Sequence, residues 1–191
     1  MVGLITCNDC MMVQIRLGAL IDNFGGNIMF KSETYGDLEL KDIPQCMLDY
    51  YNKMVKYNAP MHIIIGTDSQ NFSDTKMVSV IAYLCEGHGG IYFYEISRIA
   101  KIKDVRTKLH CETNESLNIA TKLLELLEED SYKDIFLSST FAIHVDAGNS
   151  EIGKTKELIP ELVGWIKSCG YDCSVKPDSF VASSIADKIS K

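Results

Sequence analysis

The chain has 191 residues and a mass of 21.4 kDa, the size of one globular domain. Hydrophobic residues make up 46% of it and charged residues 24%, which is ordinary for a soluble fold and sufficient for a full core. The formal net charge of −7 excludes a general attraction to nucleic acid, so any such contact must use a local basic patch or a bound cation. No apolar run approaches the ~20 residues of a membrane span, and charges interrupt the apolar start, so we expect neither a membrane helix nor a signal peptide.

The seven cysteines form no repeating framework, and this usage is typical of a reduced cytoplasmic protein. Cys7 and Cys10 form one pair, and Cys169 and Cys173 form a second, looser pair. A structural zinc ion needs four ligands in one place, and nothing in the sequence ties the two pairs together. Zinc is therefore a minor alternative.

Residues 1–28 show no clear pattern, and we assign them to an N-terminal extension that precedes one domain at residues 29–191. The stretch from Gly36 to Asp42 is polar and turn-like. Pro44 then opens a predicted helix that runs to about Tyr57, because proline suits a first helical turn and the following apolar residues lie on one side.

The stretch from Met61 to Gln70 predicts a central strand, since its three consecutive isoleucines leave no polar face. Asp68 falls where this strand is expected to meet its loop, with Ser69 beside it. A poorly solvated carboxylate is costly there unless a proton, a cation or hydrogen-bond donors compensate it. The alternative, slightly favoured by this stretch alone, is that Asp68 starts an Asx-type turn.

Two more strands are predicted at residues 76–85 and 91–99, which makes three successive antiparallel strands. The basic cluster of the sequence follows, from Arg98 to Lys108. A charge run is most often a solvated face, but in an acidic protein it is also the best candidate for a phosphate-backbone contact. The candidate substrate-binding residues in it are Lys101, Lys103 and Arg106.

A long helix is predicted from about Thr107 to Glu129, with an apolar stripe that begins at Ile119. At roughly 100° per residue, Glu112 falls about 50° from the centre of that stripe and Glu115 about 110° away. We therefore expect Glu112 to face the sheet and Glu115 to lie nearer the solvent.

The next predicted strand, residues 141–146, ends on an aspartate. Its alternation puts His144 and Asp146 on one face. His144 is a candidate neighbour of a site, and a hydrogen-bonded core histidine is an equally good interpretation.

The remaining predicted elements are a helix at 154–168, a short strand at 171–176 and a helix at 179–189. Asp178 stands at the mouth of the last helix, where it is also a good N-cap. Lys176 either orients a phosphate or simply ends the strand.

Two predicted buried strands thus end in aspartate, at Asp68 and Asp146. If these strands lie side by side and parallel, joined by the crossover helix, their carboxylates converge beyond the strand ends, where α/β sheets bind ligands. Close carboxylates cannot all stay ionised without a cation, and oxygen-only ligands select Mg²⁺ or Mn²⁺. Two such ions ~4 Å apart would clamp the attacking and leaving oxygens of a phosphodiester.

Five short motifs contain or lie close to the acidic positions. They are GTDSQ (66–70), Cys111-Glu112-Thr113, HVDAG (144–148), KTKE (154–157) and KPDSFVASS (176–184). With the order of the elements, these motifs resemble the ribonuclease H-like fold, and more narrowly the YkuK-type ribonuclease H-like family of bacterial proteins. The resemblance implies an α/β domain with a mixed five-stranded sheet, in the order β-β-β-α-β-α-β-α, flanked by helices. It covers about residue 29 to the end, and its implied catalytic and metal positions are Asp68, Glu112, Asp146 and Asp178.

Residues Gly148 to Thr155 also fit the phosphate-binding pattern G-x-x-x-x-G-K-[ST], after a strand and before a helix. Only one strand is predicted downstream, and no later strand ends in a Walker-B-type aspartate. We interpret the match as coincidental, with Lys154 kept as a candidate phosphate ligand at the helix N-terminus.

The sequence therefore predicts a divalent-metal-dependent nuclease that hydrolyses phosphodiester bonds in RNA, DNA or a hybrid, with Mg²⁺ or Mn²⁺ as its cofactor. One alternative is a non-catalytic nucleic-acid-binding module on the same fold. A less favoured alternative is a nucleotide-binding protein that uses the P-loop match. Strand preference and oligomeric state stay open.

Overall fold

A computed structural model of the chain describes residues 29–147, 154–179, 184–185 and 188. The predicted extension, residues 1–28, lies outside this part. Its strands, numbered in chain order, are β1 (Met29–Ser32), β2 (Gly36–Glu39), β3 (Met61–Asn71), β4 (Thr75–Cys85), β5 (Gly89–Ile99), β6 (Ser139–Val145) and β7 (Asp172–Val175). The described strands form one sheet in the order β2-β1-β5-β4-β3-β6-β7. β6 runs parallel to β3 and to β7, and the other pairs are antiparallel.

The described α-helices are α1 (Ile43–Met54), α2 (Val105–Leu127), α3 (Lys133–Ser138) and α4 (Lys154–Ser168). Short 3-10 helices lie at Leu40–Asp42, Val55–Tyr57 and Asp130–Tyr132, and residues 184, 185 and 188 are helical. α2 carries the chain from β5 to β6, and α4 connects the parallel strands β6 and β7. Within the described ranges, no helix has the length and apolar character needed to cross a bilayer.

The core lies on both faces of β3, as its isoleucine run predicts. Ile63 and Ile65 face the helices and belong to the main apolar cluster, together with Leu123 of α2 and Leu162 of α4. Ile64 faces the opposite side, where it joins a smaller cluster against which Ile185 packs. The central position of β3 therefore fixes both layers of the fold.

The predicted fold class is confirmed, and so are the three successive antiparallel strands β3, β4 and β5. The described sheet has seven strands rather than the predicted five, because β1 and β2 add a hairpin at one edge. The interpretation of residues 36–42 as a turn-like stretch was wrong for β2. Each of these strands has four residues, too few to show a hydrophobic period.

β3 does not end at Asp68, as the sequence had suggested. It continues to Asn71, and residues 68–71 all pair with β4. The chain reverses only beyond them, where the Phe72 amide donates to the Asp74 carbonyl at 2.7 Å. The alternative that Asp68 starts a turn is therefore wrong, because the antiparallel partner extends the strand past the polar residues.

The tip of the β3–β4 hairpin holds the segment that leads into α2. The buried Thr75 hydroxyl donates to Asn71 Oδ1 at 2.7 Å and accepts from the Ile102 amide at 2.9 Å. Asn71 Nδ2 in turn donates to the Ile102 carbonyl at 2.8 Å. Asp104 then caps α2, since its carboxylate accepts from the Thr107 amide at 2.8 Å. We refer to the contacts among Asn71, Thr75 and Ile102 as the hairpin clamp.

A buried polar layer separates α2 from the sheet. The Ser116 and Thr67 hydroxyl oxygens lie 3.0 Å apart, and Thr67 contacts the Ser79 hydroxyl at 3.1 Å. Glu112 faces the sheet, as predicted. The expectation that Glu115 lies nearer the solvent was wrong, because it is only 7% exposed. α2 contacts several strands, so side chains well off its apolar stripe are also covered.

The Glu95 carboxyl of β5 belongs to the same layer. The pKa of Glu95 is raised to about 7, first by burial and then by the charge of Glu115. A hydrogen bond from Ser97 acts in the opposite direction. The pKa of Glu115 is itself raised by burial. Sequence reasoning did not find this pair, because the aromatic and β-branched residues around Glu95 indicate only a strand.

The hairpin clamp generates a prediction about stability. Thr75→Val keeps the shape of the side chain but leaves the Ile102 amide without its acceptor, so the unfolding free energy should fall by about 1–3 kcal/mol. Urea unfolding measures this loss. Thr140→Val is the matched control, because the exposed Thr140 hydroxyl contacts His62 at the surface and its loss should cost under about 0.5 kcal/mol. Equal losses in the two variants would contradict the clamp.

Glu95 generates a second prediction. Its pKa in the folded protein lies above the ordinary value of 4.5, so folding takes up a proton between the two values and stability falls as the pH rises from about 4.5 to 7. Glu95→Gln removes this loss. Relative to the parent, the variant should gain on the order of 3 kcal/mol at most between about pH 4.5 and 8.

Urea unfolding at both pH values checks this. Glu125→Gln, on the exposed side of α2, should follow the parent's pH dependence. A Glu95→Gln variant that also follows it would show that Glu95 does not titrate in this range.

Candidate metal centre

The candidate site lies in a notch where β3 continues beyond the end of its parallel neighbour β6. β6 pairs with β3 from Met61↔Ser139 to Thr67↔Val145 and then ends. The next residues along the two strands are Asp68 and Asp146. The predicted parallel pairing is therefore confirmed, and it brings the two aspartates to the same level of the sheet.

Glu112 enters this notch from α2. It is 4% exposed, and Ser69 Oγ donates to its Oε1 at 2.6 Å. Burial raises the pKa of Glu112 to about 8, although Lys108 and the Ser69 hydrogen bond act in the opposite direction. Ser69, predicted as a neighbour of the site, thus contacts a site carboxylate directly.

The charges of the three acidic groups act on one another. The pKa of Asp68 is raised first by burial and then by the charge of Asp146. Asp68 and Asp146 also raise the pKa of Glu112. The strand register and the Ser69–Glu112 hydrogen bond place the three carboxyl groups at this end of β6.

Two lysines offset this negative charge. Lys176 forms an ion pair with Asp146, whose side chain is 12% exposed. Lys108 Nζ lies 3.7 Å from Glu112 Oε1, and both lysines lower the pKa of Asp68. Lys108 was part of the predicted basic run, but sequence reasoning did not connect it to the acidic site. Its i,i+4 spacing from Glu112 on one helix was the signal that could have done so.

The side chains as placed do not form a finished coordination sphere. Among the residues that the structure describes, no three His, Cys, Asp or Glu side chains are grouped so that they could hold a metal ion. Asp146 reaches Lys176 and Glu112 reaches Ser69. The backbone therefore brings three oxygen donors together, while two of them contact protein groups.

The ligand role of Asp178 stays a prediction. Asp178 is exposed and follows β7, where its amide donates to the Val175 carbonyl at 2.9 Å. The residues around it contact the end of β6, since Lys176 pairs with Asp146 and the Ser179 hydroxyl donates to the Val145 carbonyl at 2.9 Å. Asp178 lines an open cavity of about 520 Å³ that also includes His144.

His144 is buried on β6, at 5% exposure. Burial lowers its pKa to about 4, so the imidazole is neutral near pH 7. This favours a core histidine over a proton-transfer group that titrates near neutrality.

The predicted basic run is largely engaged within the protein. Arg106 contacts Glu161 of α4 at 2.5 Å, and Lys101 Nζ donates to the Phe72 carbonyl at 2.7 Å. Arg98 makes two hydrogen bonds to Asp74, at 2.8 and 3.0 Å. Lys103 is exposed. The run is therefore not a continuous patch of unpaired cations.

Some predicted sites fall outside the described residues. These are Cys7 and Cys10, residues 148–153 of the P-loop match, and the side chain of Lys154. Cys169 is exposed and Cys173 is half-buried.

Two comparisons with known proteins bear on the family. The family model described as Ribonuclease H-like matches residues 45–191. The uncharacterized protein YkuK of Bacillus subtilis (strain 168) is 33% identical over 136 residues, which cover 66% of this chain and 77% of that protein.

A solved structure of the Mos1 transposase catalytic domain with raltegravir and Mg is 10% identical, covering 80% of this chain and 71% of that one. Its TM-score of 0.30 is too low to bear on this chain. The match to the family model and the identity to YkuK establish the family without this structure. The chain belongs to the ribonuclease H-like family, and within it to the YkuK type.

Proposed function

We propose that the protein is a divalent-metal-dependent nuclease, with Asp68, Glu112 and Asp146 as the residues that hold Mg²⁺ or Mn²⁺. The observation that carries this proposal is the placement of Asp68 and Asp146 directly after the last residues that pair β3 with β6, with the buried Glu112 of α2 bonded to Ser69 beside Asp68. A fold does not by itself need such an arrangement, because each buried carboxyl group costs stability unless it is compensated.

The residues present fit such a cation in their chemistry. All three side chains offer oxygen donors, the type that Mg²⁺ and Mn²⁺ prefer. Asp146 would exchange its contact with Lys176 for the ion, and Glu112 would offer the ion the carboxylate oxygen that Ser69 does not contact. Bound there, the metal would supply a water of lowered pKa and stabilise charge on the phosphoryl oxygens.

The chain's own residues would position the substrate around that centre. Lys108 and Lys176 each contact a site carboxylate in this structure. When a cation neutralises those carboxylates, the two ammonium groups become available to a phosphate. Ser69 would keep Glu112 oriented toward the notch, since its hydroxyl bonds only one of the two carboxylate oxygens.

The lysine pairs also favour a second candidate function, a non-catalytic module that binds nucleic acid without a metal. In such a module Lys108 and Lys176 would be the permanent counter-ions of the acidic cluster. The absence of a three-ligand group among the described side chains is the observation in its favour. Metal binding and cleavage are therefore tested separately.

The metal proposal predicts a pattern of thermal stability. An ion that binds only the folded parent stabilises it by ~2.7 kcal/mol at a hundredfold excess over its dissociation constant. Asp68→Asn and Asp146→Asn should lose most of this gain, and in chelator they should be at least as stable as the parent because a repulsion is removed. Melting curves in chelator and in Mn²⁺ measure both effects.

The matched control is Asp172→Asn, an exposed aspartate on β7, which should keep the full metal gain. Asp178→Asn belongs in the same series, because the family resemblance implies Asp178 as a ligand. If the parent, Asp68→Asn and Asp146→Asn gain equally from Mn²⁺, these aspartates do not share a metal site.

The nuclease proposal predicts cleavage of end-labelled oligonucleotides by the parent in Mn²⁺ or Mg²⁺ and none in chelator. Glu112→Gln should reduce the rate by more than about a hundredfold, a loss that even an outer-shell partner of a metal ligand can cause. Asp172→Asn should cleave at the parental rate. Oligonucleotide binding by a parent that cleaves nothing in either metal would support the binding module instead.

A further inference from the structure

One corner of the sheet, next to the candidate site, is open on the face opposite α2. Two rows of paired residues cross β3, β4 and β5 here. One row is Gln70, Lys76 and Arg98, and the other is Asp68, Val78 and Ile96. Because side chains alternate along each strand, both rows lie on one face. The open sheet corner, as we define it, consists of Gln70, Phe72, Lys76, Ile96 and Arg98.

This corner exposes large apolar side chains that the fold does not need there. Phe72, the first residue beyond β3, is 52% exposed, and Ile96 is 42% exposed. On the same face, farther from the tip of the β3–β4 hairpin, Ile64 and Val78 are buried in the cluster against which Ile185 packs. The exposed surface therefore begins where that packing ends.

Positive charge flanks these apolar groups although the chain as a whole carries −7. Lys76 and Arg98 are neighbours across β4 and β5. Arg98 pairs with Asp74, but its side chain is 58% exposed, and exposed ion pairs of this type exchange partners at little cost. The Lys101 ammonium donates to the Phe72 carbonyl and adds a further positive charge at the backbone of that residue.

We propose that the open sheet corner binds single-stranded nucleic acid, with the Phe72 ring stacked on a base and with Lys76 and Arg98 contacting the phosphates. The inference rests on the proposed function, since it names the substrate class that the acidic notch receives. Phe72 lies four positions after Asp68, which is about 13 Å of extended chain. About four stacked nucleotides at 3.4 Å each cover that length, close to the smallest footprints of single-strand-binding domains.

A single strand fits this surface better than a duplex. An aromatic ring recognises the face of an unpaired base, whereas a duplex buries its base faces and offers mainly phosphates. Duplex binding commonly uses about six to ten phosphate contacts, and this corner has few cations in an acidic protein. The chemistry therefore favours a strand whose bases are free to stack.

The test uses the full chain in chelator, so that binding is measured without cleavage. The probes are fluorescein-labelled oligothymidylate and oligouridylate of about twelve nucleotides, and a duplex of the same length. Fluorescence anisotropy should show tighter binding of the single strands. Phe72→Ala should weaken that binding by about five- to 150-fold, the usual value of one base–aromatic stack. Arg98→Ala should flatten the salt dependence by about 0.7 in slope.

Two variants separate stacking from a general effect on the protein. Tyr57→Ala removes a similarly exposed aromatic, stacked on His88 elsewhere on the surface, and should bind like the parent. Phe72→Trp should retain binding, and its tryptophan fluorescence should be quenched by the oligonucleotide. The chain otherwise contains only Trp165, which lies in α4.

Equal binding by the parent and Phe72→Ala would overturn the inference, and so would a preference for the duplex or no binding of any probe. These measurements contain no metal, so a negative result would not contradict the nuclease proposal. That proposal is tested by the cleavage assay. A protein that binds single strands through Phe72 but never cleaves them would uphold this inference and overturn the proposed function.

Discussion

The burial of the Glu112 carboxyl group is the constraint on which the candidate site depends. Glu112 is 4% exposed, and so little contact with water destabilises its charged form. This destabilisation raises its pKa to about 8. The fold reduces the destabilisation with one hydroxyl donor, Ser69, and one nearby ammonium group, Lys108. This compensation is only partial, because the pKa of Glu112 remains raised despite both groups.

The surrounding polar contacts hold Glu112 at one place and angle. The hairpin clamp ties the segment before α2 to the tip of β3 and β4, and Asp104 caps the first turn of the helix. Four residues after Glu112, Ser116 bonds back to the Glu112 carbonyl and lies against Thr67 of β3. These contacts hold α2 against β3, the strand that carries Asp68. They therefore fix the position of Glu112 relative to Asp68.

The long apolar elements could be predicted from the sequence because burial controls their pattern. The isoleucine run of β3 and the helical phase of Glu112 are examples, and the parallel pairing of β3 with β6 followed from the crossover rule. Features set by partners distant in sequence could not be predicted. Examples are the extension of β3 beyond Asp68, which β4 imposes, and the burial of Glu115. The placement of Asp178 depends on the turn after β7, which a local pattern does not specify.

The order of the strands has a consequence for how the protein forms. The meander β3–β4–β5 needs only short connections, so its contacts are local, whereas β6 and β7 can join only after α2 and α4 have crossed the sheet. A growing chain that has made the meander contains Asp68 without Glu112 or Asp146. The acidic notch thus assembles late in synthesis, and a chain truncated before β6 would lack its complete set of carboxylates.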